Sequence, residues 1–241
     1  MNDNTRAIKN LPYPGRIIIV GKDCSDRHVI VLYAVTGRSS SSQARKIEYS
    51  KGKIFVKPAD EEELRKGDRD LLIYPAIQIS TGIAVSNGKQ TDDIYKNLNI
   101  SCSPVHVLSE SLEPWDYEPD APSFTPRISG CVLNGKKAAL SIIKRAENNG
   151  SIKNFFEFPL IPGKGRYIAT YEGKKTDPLP SFKGEPVPID LPFKNADKTA
   201  QSVYHFLRPG TNQIDFRVAL ACVFYQLPEF KKSHVAIINR Q

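Results

Sequence analysis

A short acidic segment is the part of this sequence best suited to acid–base chemistry. Three carboxylates, Asp116, Glu118 and Asp120, fall within five positions, and Thr125-Pro126-Arg127-Ile128 follows them. Like charges held close together disfavour each other's ionisation, so one of the three could keep a raised pKa and act as a general base. An acidic loop exposed to solvent is the alternative interpretation of the same residues.

Arginines and hydroxyl side chains are concentrated in a second segment, residues 37–45, which reads Gly-Arg-Ser-Ser-Ser-Ser-Gln-Ala-Arg. Arg38 and Arg45 could bind phosphate or carboxylate, since a guanidinium offers a planar fork of donors to either anion. A flexible hairpin loop is an equally good interpretation of this segment taken alone. The motif Tyr13-Pro14-Gly15-Arg16 adds another arginine immediately before the first predicted strand.

A loop that leads into a predicted helix is the third candidate, with the sequence Ser86-Asn87-Gly88-Lys89-Gln90-Thr91-Asp92-Asp93-Ile94. Thr91 is predicted to cap the helix, and the carboxylates that follow it suit the positive end of the helix dipole. Free backbone N–H groups at such a helix start could bind an anion. Capping alone is the favoured interpretation of this loop.

Several familiar catalytic and metal-binding patterns are absent from the sequence. It has neither a G-x-x-x-x-G-K-[ST] phosphate loop nor a G-x-S-x-G nucleophile elbow. The four cysteines and four histidines form no C-x-x-C or H-x-x-x-H pair. We therefore predict neither a metal site nor a disulfide framework.

Charge and hydropathy limit the class of partner. The chain has 241 residues, with 34 Lys and Arg against 26 Asp and Glu, which gives a formal net charge of +8. Basic residues cluster only in pairs, whereas nucleic-acid binders usually concentrate them in a stripe or tail, so a small phosphate-bearing ligand is favoured over nucleic acid. No apolar run approaches the roughly 20 residues of a membrane helix, and residues 1–9 are too polar for a signal peptide. We therefore expect no membrane partner and a cytoplasmic location.

The elements that must position these segments are mostly strands. β-Branched runs bounded by Gly, Asp and Ser predict strands at residues 16–21 and 28–35 and at several later positions, with a closing strand at 235–238. Hairpins with helices inserted in mid-chain and near the end indicate an α+β layered protein.

Two predictions concern the last third of the chain. Apolar residues at about every third or fourth position predict helices at residues 198–207 and 215–227. Residues 177–193 are rich in proline, so this segment should run along the surface without ladder hydrogen bonds.

Taken in order, these segments resemble the archaeal-type inosine monophosphate (IMP) cyclohydrolase family. The matching pieces are Tyr13-Pro14-Gly15-Arg16, Arg38-Ser39 with Arg45, Ser86-Asn87-Gly88 with Thr91-Asp92, Asp116-Tyr117-Glu118 with Asp120, Thr125-Pro126-Arg127-Ile128, and Thr170-Tyr171-Glu172. Each piece is weak alone, but their ordered combination over residues 13–172 is fairly specific. The resemblance thins after residue 172.

The resemblance implies a four-layer αββα sandwich of mostly antiparallel sheets, similar to the N-terminal nucleophile (Ntn) hydrolases but without their nucleophile. It implies a hydrolase-class enzyme, an IMP cyclohydrolase, which closes the ring of 5-formamidoimidazole-4-carboxamide ribonucleotide with loss of water in purine biosynthesis. Neither a metal nor an organic cofactor is implied. The ligands would be this purine nucleotide and IMP, and the chain could form a homo-oligomer.

By the same resemblance, Arg45, Tyr74 and Glu118 align with the catalytic group of the family. Glu118 would orient the carboxamide and take its proton, while Tyr74 and Arg45 would polarise the formyl oxygen. Eight further residues are carried over as substrate-binding candidates: Arg16, Arg38, Asn87, Thr91, Asp92, Asp116, Arg127 and Glu172. This hypothesis requires Arg45 and Glu118 to share one cleft.

The sequence departs from the family pattern in three places. Residues 1–12 extend the chain before the first motif, the loop from Arg38 to Arg45 is longer than usual, and Pro75 replaces the family's usual residue after Tyr74.

We predict a single domain over residues 1–241. Two other functions stay open: an amide-processing enzyme for another purine or imidazole nucleotide, and a non-catalytic nucleotide- or RNA-binding module.

Overall fold

Two antiparallel sheets and a few helices make up the protein, as described by a computed structural model of residues 8–9, 11–59, 62, 73–173, 176–211, 213–227 and 233–240. The six-stranded sheet has the order β11 (Val187–Asp190), β10 (Lys164–Ala169), β1 (Arg16–Lys22), β2 (His28–Thr36), β12 (Arg217–Gln226) and β13 (Ser233–Asn239). The seven-stranded sheet follows the chain: β3 (Arg45–Ser50), β4 (Lys53–Pro58), β5 (Tyr74–Ile79), β6 (Ile83–Ser86), β7 (Arg127–Val132), β8 (Lys137–Arg145) and β9 (Ser151–Pro159). This mixed α+β architecture confirms the predicted class.

The facing sides of the two sheets share one hydrophobic core. Alternation along the strands sends Val85 and Leu140 into this core and Ala84 and Ala139 to the opposite face. That opposite face is covered by α2 (Gln90–Lys96) and α3 (Pro104–Leu112).

The six-stranded sheet is also covered on its second face. Helix α4 (Ala196–Phe206) packs on β12 and β13, and Asn195 caps it by accepting a hydrogen bond from the Lys198 N–H at 2.9 Å. Strands buried on both faces need no polar alternation, which explains the near-continuous apolar run of β2. The predicted helix at residues 198–207 and the predicted strand at 235–238 are both confirmed.

The predicted helix at residues 215–227 is wrong, because this segment forms strand β12. Nearly every residue from 218 to 225 is apolar, so apolar residues occur at helical spacing and at strand spacing alike. The helical spacing therefore does not distinguish a helix from a strand here. β12 lies between β2 and β13 with both faces covered, and that position in the sheet, not the local pattern, decides its conformation.

The prediction of a surface segment without ladder bonds at residues 177–193 is wrong for its second half. Residues 187–190 form β11, an edge strand that pairs antiparallel with β10. Pro188 is tolerated because an edge strand has a free side on which no donor is needed. Leu179, Phe182 and Leu191 are buried, so the segment contributes to the core.

Other predictions have more limited outcomes. Ser103-Pro104 is a sequence typical of a helix start, because proline is favoured in the first turn, and it opens α3. Thr91 does not cap α2, since the helix already includes Gln90. The charged run at residues 61–66 is typical of an exposed helical turn, but it lies outside the described residues except for Glu62, as does most of the 1–12 extension. In the part of the chain that the structure describes, no helix has the length and apolarity to cross a bilayer.

Candidate functional site

A cavity of about 280 Å³ opens where several strand ends and two loops meet. Arg16 begins β1 and lies opposite Val35 near the end of β2, so the antiparallel register places the first motif beside the arginine-rich loop. That loop contains the short helix α1 (Ser40–Gln43) and delivers Arg45 at the start of β3. The lining residues are Tyr13, Arg16, Arg38, Ser39, Ser42, Arg45, Glu118, Asp120, Ser123, Thr125 and Tyr171.

A glycine permits the close packing at the cavity edge. Gly15 has a φ of +75°, which L side chains rarely adopt, and a Cβ at this position would lie 2.0 Å from Thr170 Oγ1. The Thr170 hydroxyl instead donates to the Pro14 carbonyl oxygen at 3.1 Å and accepts the Arg16 backbone N–H at 3.1 Å. These bonds fix the backbone from which the Arg16 side chain enters the cavity.

Two buried arginines, Arg16 and Arg45, dominate the charge of the cavity. Among the described residues, neither Arg16 Nε nor Arg45 Nε and Nη1 has a hydrogen-bond partner, although all three atoms are buried. Burial and the neighbouring Arg16 charge lower the pKa of Arg45. A pair of desolvated cations with unused donors is strongly suited to an anion or a developing negative charge.

Two tyrosines link the sheets beside these arginines. The hydroxyls of Tyr33 on β2 and Tyr74 on β5 are 2.8 Å apart, and both side chains are fully buried. Burial, reinforced by the Tyr74 hydroxyl, raises the pKa of Tyr33 well above its usual value. Both phenols influence the Arg16 and Arg45 charges, which places Tyr74 at the arginine cluster although it does not line the cavity.

Glu118 is a carboxyl group with an unusual environment. The residue is only 5% exposed, and its backbone N–H donates to the Thr125 carbonyl oxygen at 2.9 Å, which closes the loop that carries it. Burial raises the pKa of Glu118 to about 7, with the positive charges of Arg16 and Arg127 opposing a larger shift. A carboxyl with this pKa can both accept and donate a proton near neutrality.

Asn87 supports Glu118 from behind and satisfies all its own hydrogen-bonding capacity in doing so. Its Nδ2 donates to Glu118 Oε1 at 3.3 Å and to the Pro126 carbonyl oxygen at 2.9 Å. Its Oδ1 accepts from the Ile128 N–H at 2.8 Å and from Gln90 Nε2 at 3.2 Å. The amide thus links the Glu118 loop to the start of β7, at Ile128, and to the start of α2, at Gln90.

Arg127 lies on the same side of Glu118 as Asn87 and is engaged by protein groups. Its Nε donates to the Asp116 carbonyl oxygen at 2.8 Å and its Nη1 to Gln90 Oε1 at 3.2 Å. The guanidinium is stacked 4.9 Å from the centre of the Trp115 ring and has a 3.8 Å ion pair to Glu118 Oε1. Arg127 does not line the cavity, and its guanidinium places a positive charge beside the Glu118 carboxyl group.

A chain of three hydrogen-bonded side chains forms another part of the lining. Asp120 accepts the Thr125 N–H on Oδ1 at 2.6 Å and the Thr125 hydroxyl on Oδ2 at 2.5 Å. The Thr125 oxygen is also 2.8 Å from the hydroxyl of Tyr171. All three residues belong to the motifs that carry the family resemblance. Asp120 was one of the three carboxylates considered as a general base, but no site role was predicted for Thr125 or Tyr171; Tyr33, inside an apolar strand, was missed altogether.

The structure therefore brings together only part of the predicted set. Arg16, Arg38, Arg45 and Glu118 line one cavity, with Tyr74, Asn87 and Arg127 directly behind them. The other four predicted residues also do not line the cavity, and their side chains have partners elsewhere: Thr91 the Gly88 carbonyl oxygen, Asp92 Gln78, Asp116 Ser151, and Glu172 Lys183. Their substrate-binding role stays a prediction.

Comparison with known proteins places the chain in a family. A family model described as IMP cyclohydrolase-like protein matches residues 13–226, which include every lining residue of the cavity. An IMP cyclohydrolase of Methanothrix thermoacetophila is 34% identical over 208 residues, covering 85% of this chain and 93% of that protein. An IMP cyclohydrolase of Methanopyrus kandleri is 29% identical over 184 residues, covering 71% of this chain and 89% of that protein. The chain belongs to the IMP cyclohydrolase-like protein family.

Proposed function

We propose that this protein is an IMP cyclohydrolase, which converts 5-formamidoimidazole-4-carboxamide ribonucleotide to IMP and water. The observation that carries the proposal is the placement of Arg16, Arg45 and Glu118 in one buried cavity, as an intramolecular dehydration requires. The names of the two archaeal relatives support the same activity.

The reaction sets clear demands on the site. The carboxamide nitrogen attacks the formyl carbon, and a C–N bond forms while negative charge grows on the formyl oxygen. The carboxamide nitrogen then gives up one proton, the formamido nitrogen gives up another, and the former formyl oxygen leaves as water. The site must hold the two arms in the reactive conformer, stabilise the oxyanion and move protons.

Glu118 is the proposed proton carrier. With a pKa of about 7, a fraction of the side chain is ionised at neutral pH and can take the proton from the carboxamide nitrogen. The protonated carboxyl is then an acid strong enough to return that proton to the departing oxygen. Asn87 and Arg127 hold the carboxylate in position, and the positive charges of Arg16 and Arg127 keep its pKa from rising further.

Arg45 and Tyr74 are the proposed stabilisers of the formyl oxygen. The buried Arg45 donors that no described residue uses could bind the oxyanion directly. Tyr74, bonded to Tyr33, could donate a second hydrogen bond. Arg16 would add a second buried positive charge beside Arg45, together with an Nε donor that no described residue uses.

The exposed end of the cavity suits the phosphate of the nucleotide. Arg38 is exposed, its guanidinium lies 5.0 Å from the centre of the Tyr13 ring, and Ser39 and Ser42 line the cavity beside it. A phosphate here could keep part of its hydration shell, while the imidazole arms reach the buried arginines.

We also propose that the fold is the four-layer αββα sandwich of the Ntn hydrolases. The outer positions of α4 on one sheet and of α2 and α3 on the other support this layer order. The single domain, the cytoplasmic location and the absence of a nucleic-acid partner are proposed with it.

Absorbance tests the function directly, because closure of the purine ring changes the chromophore. The purified protein mixed with the formamido nucleotide should give the spectrum of IMP without any added enzyme. Glu118→Gln should lose this activity while keeping its circular dichroism spectrum, and Glu110→Gln, on the exposed side of α3, should retain it. No spectral change with the unmodified protein would refute the proposal, and salt-sensitive binding of RNA in its place would favour a binding module.

A further inference from the structure

The direction of the hydrogen bonds between Tyr171, Thr125 and Asp120 is fixed by their chemistry. The Asp120 carboxylate can only accept, and it takes the single hydroxyl proton of Thr125 at 2.5 Å. The Thr125 oxygen must then accept at its 2.8 Å contact with Tyr171, so the phenol is the donor there. Burial raises the pKa of Tyr171 to about 12, so the phenol keeps this one proton at neutral pH.

Tyr171 consequently has no proton left for the cavity that it lines. Its phenolic oxygen offers lone pairs alone, in contrast to the arginines nearby, which offer N–H groups alone. A ligand group that meets Tyr171 must therefore be a hydrogen-bond donor. Phosphate oxygens and the formyl oxygen are acceptors and do not satisfy this condition.

The position of Tyr171 lies between the two ends of the cavity. Its ring is stacked on Tyr13, with centroids 5.9 Å apart, and Tyr13 also contacts Arg38 at the exposed end. In the other direction, the Arg16 charge at the buried end acts on the Tyr171 hydroxyl. In a nucleotide, the ribose connects the phosphate to the base, and its hydroxyl groups are hydrogen-bond donors.

We propose that Tyr171 recognises the ribose of the nucleotide by accepting a hydrogen bond from a ribose hydroxyl, with Thr125 and Asp120 as positioning residues that set its polarity. The proposal rests on the proposed function, since it takes the ligand to be a ribonucleotide. It gives the Asp120-Thr125-Tyr171 chain a role in substrate specificity that is separate from the proton transfer at Glu118.

Binding of IMP, 2′-deoxy-IMP and 3′-deoxy-IMP tests this recognition by isothermal titration calorimetry. The unmodified protein should bind IMP about tenfold more tightly than the analogue that lacks the recognised hydroxyl, the size expected for one neutral hydrogen bond. Tyr171→Phe should bind the two nucleotides alike. Tyr225→Phe, which removes a hydroxyl bonded to the Ser80 carbonyl oxygen at 2.6 Å outside the cavity, should keep the preference.

Variants of Thr125 separate polarity from packing. Thr125→Val removes the acceptor of the Tyr171 proton, so the phenol can donate into the cavity as well as accept, and the preference for the nucleotide with the recognised hydroxyl should weaken. Thr125→Ser keeps the hydroxyl and should restore the full preference. Two results would overturn this proposal in a protein that still closes the ring. One is an unchanged preference for IMP over the deoxy analogue in both Tyr171→Phe and Thr125→Val, and the other is no such preference in the unmodified protein. Failure of the unmodified protein both to bind IMP and to close the ring would instead remove the proposed function and this inference with it.

Discussion

Arg45 and Arg127 both act on the charge of Glu118, yet their surroundings are opposite. Arg127 gives its N–H groups to the Asp116 carbonyl oxygen and to Gln90, and stacks on an indole ring. Arg45 lines the cavity, and its buried Nε and Nη1 have no partner among the described residues. The two guanidinium groups therefore differ in what they can still bind, because protein groups already accept from Arg127, whereas Arg45 has two buried nitrogens that no described residue uses.

This contrast indicates that Arg127 contributes mainly to folding and Arg45 mainly to ligand binding. A satisfied buried cation contributes to folding, and its loss leaves acceptors and a carboxylate without a partner. An unsatisfied buried cation opposes folding and is retained for what it binds. Substitutions at the two positions should therefore affect stability and catalysis in opposite proportions.

The largest expected effect is that of Arg45→Gln on turnover. Loss of a charged donor to the oxyanion should lower kcat about 1,000-fold, while the melting temperature stays the same or rises because the repulsion with Arg16 disappears. Stopped-flow or steady-state absorbance gives kcat, and calorimetry gives the melting temperature. Arg208→Gln, at an exposed position, is the matched control. A variant that melted several degrees lower with kcat intact would reverse the assignment.

Arg127→Gln should show the opposite behaviour. The variant leaves the Asp116 carbonyl oxygen and Glu118 with weaker partners, and the free energy of unfolding should fall by about 3 kcal/mol. Urea denaturation measures this loss. Arg127→Lys should recover only part of it, because an ammonium cannot reproduce the two-sided fork or the stacking on Trp115. Unchanged stability in Arg127→Gln would place this arginine with Arg45 as a ligand-binding group.

The sequence could predict most of the strands but not the contrast between the arginines. β-Branched runs bounded by turn residues located β1 and β2 because the local pattern and the final structure agree there. At residues 215–227 and 187–190, the neighbouring strands decide the conformation, and no local pattern records them. The same limit applies to Arg127, since its partners lie on the loop that precedes it and on α2, and no local pattern shows that they converge on one side chain.

The candidate site was predictable to the extent that motif order implies proximity. Arg45 and Glu118 share a cavity as the sequence hypothesis required. Asp92 and Asp116 were carried over from the family resemblance as substrate-binding candidates, but their carboxylates bond to Gln78 and Ser151 and do not line the cavity. Tyr33 carried one signal, a phenol in an otherwise aliphatic strand, and such a group needs a buried partner.

The Glu118 environment should also appear in the pH dependence of stability. Its pKa in the folded protein, about 7, lies above the ordinary value of 4.5, so the folded state binds this proton more tightly than the unfolded chain. The resulting stabilisation is fully present below about pH 4.5 and is lost as the pH rises through 7, a change of about 2 to 3 kcal/mol. Glu118→Gln should remove this slope and be the more stable protein at pH 8, as measured by urea denaturation at several pH values. Parallel curves for the two proteins would contradict the raised pKa.

The smallest expected effect tests how Asn87 holds the carboxylate. In Asn87→Asp, the donor that faces Glu118 Oε1 at 3.3 Å becomes a second carboxyl oxygen, so the two groups share a site. The pair should then hold a proton to higher pH, and the midpoint of the rise in kcat with pH should move up by about one unit from its value near 7. The pH profile of kcat measures this shift, and Lys89→Gln, at an exposed position just before α2, checks that the same change of net charge nearby does not produce it. If the midpoint stayed near 7 in Asn87→Asp, the group whose titration controls kcat would be one other than Glu118.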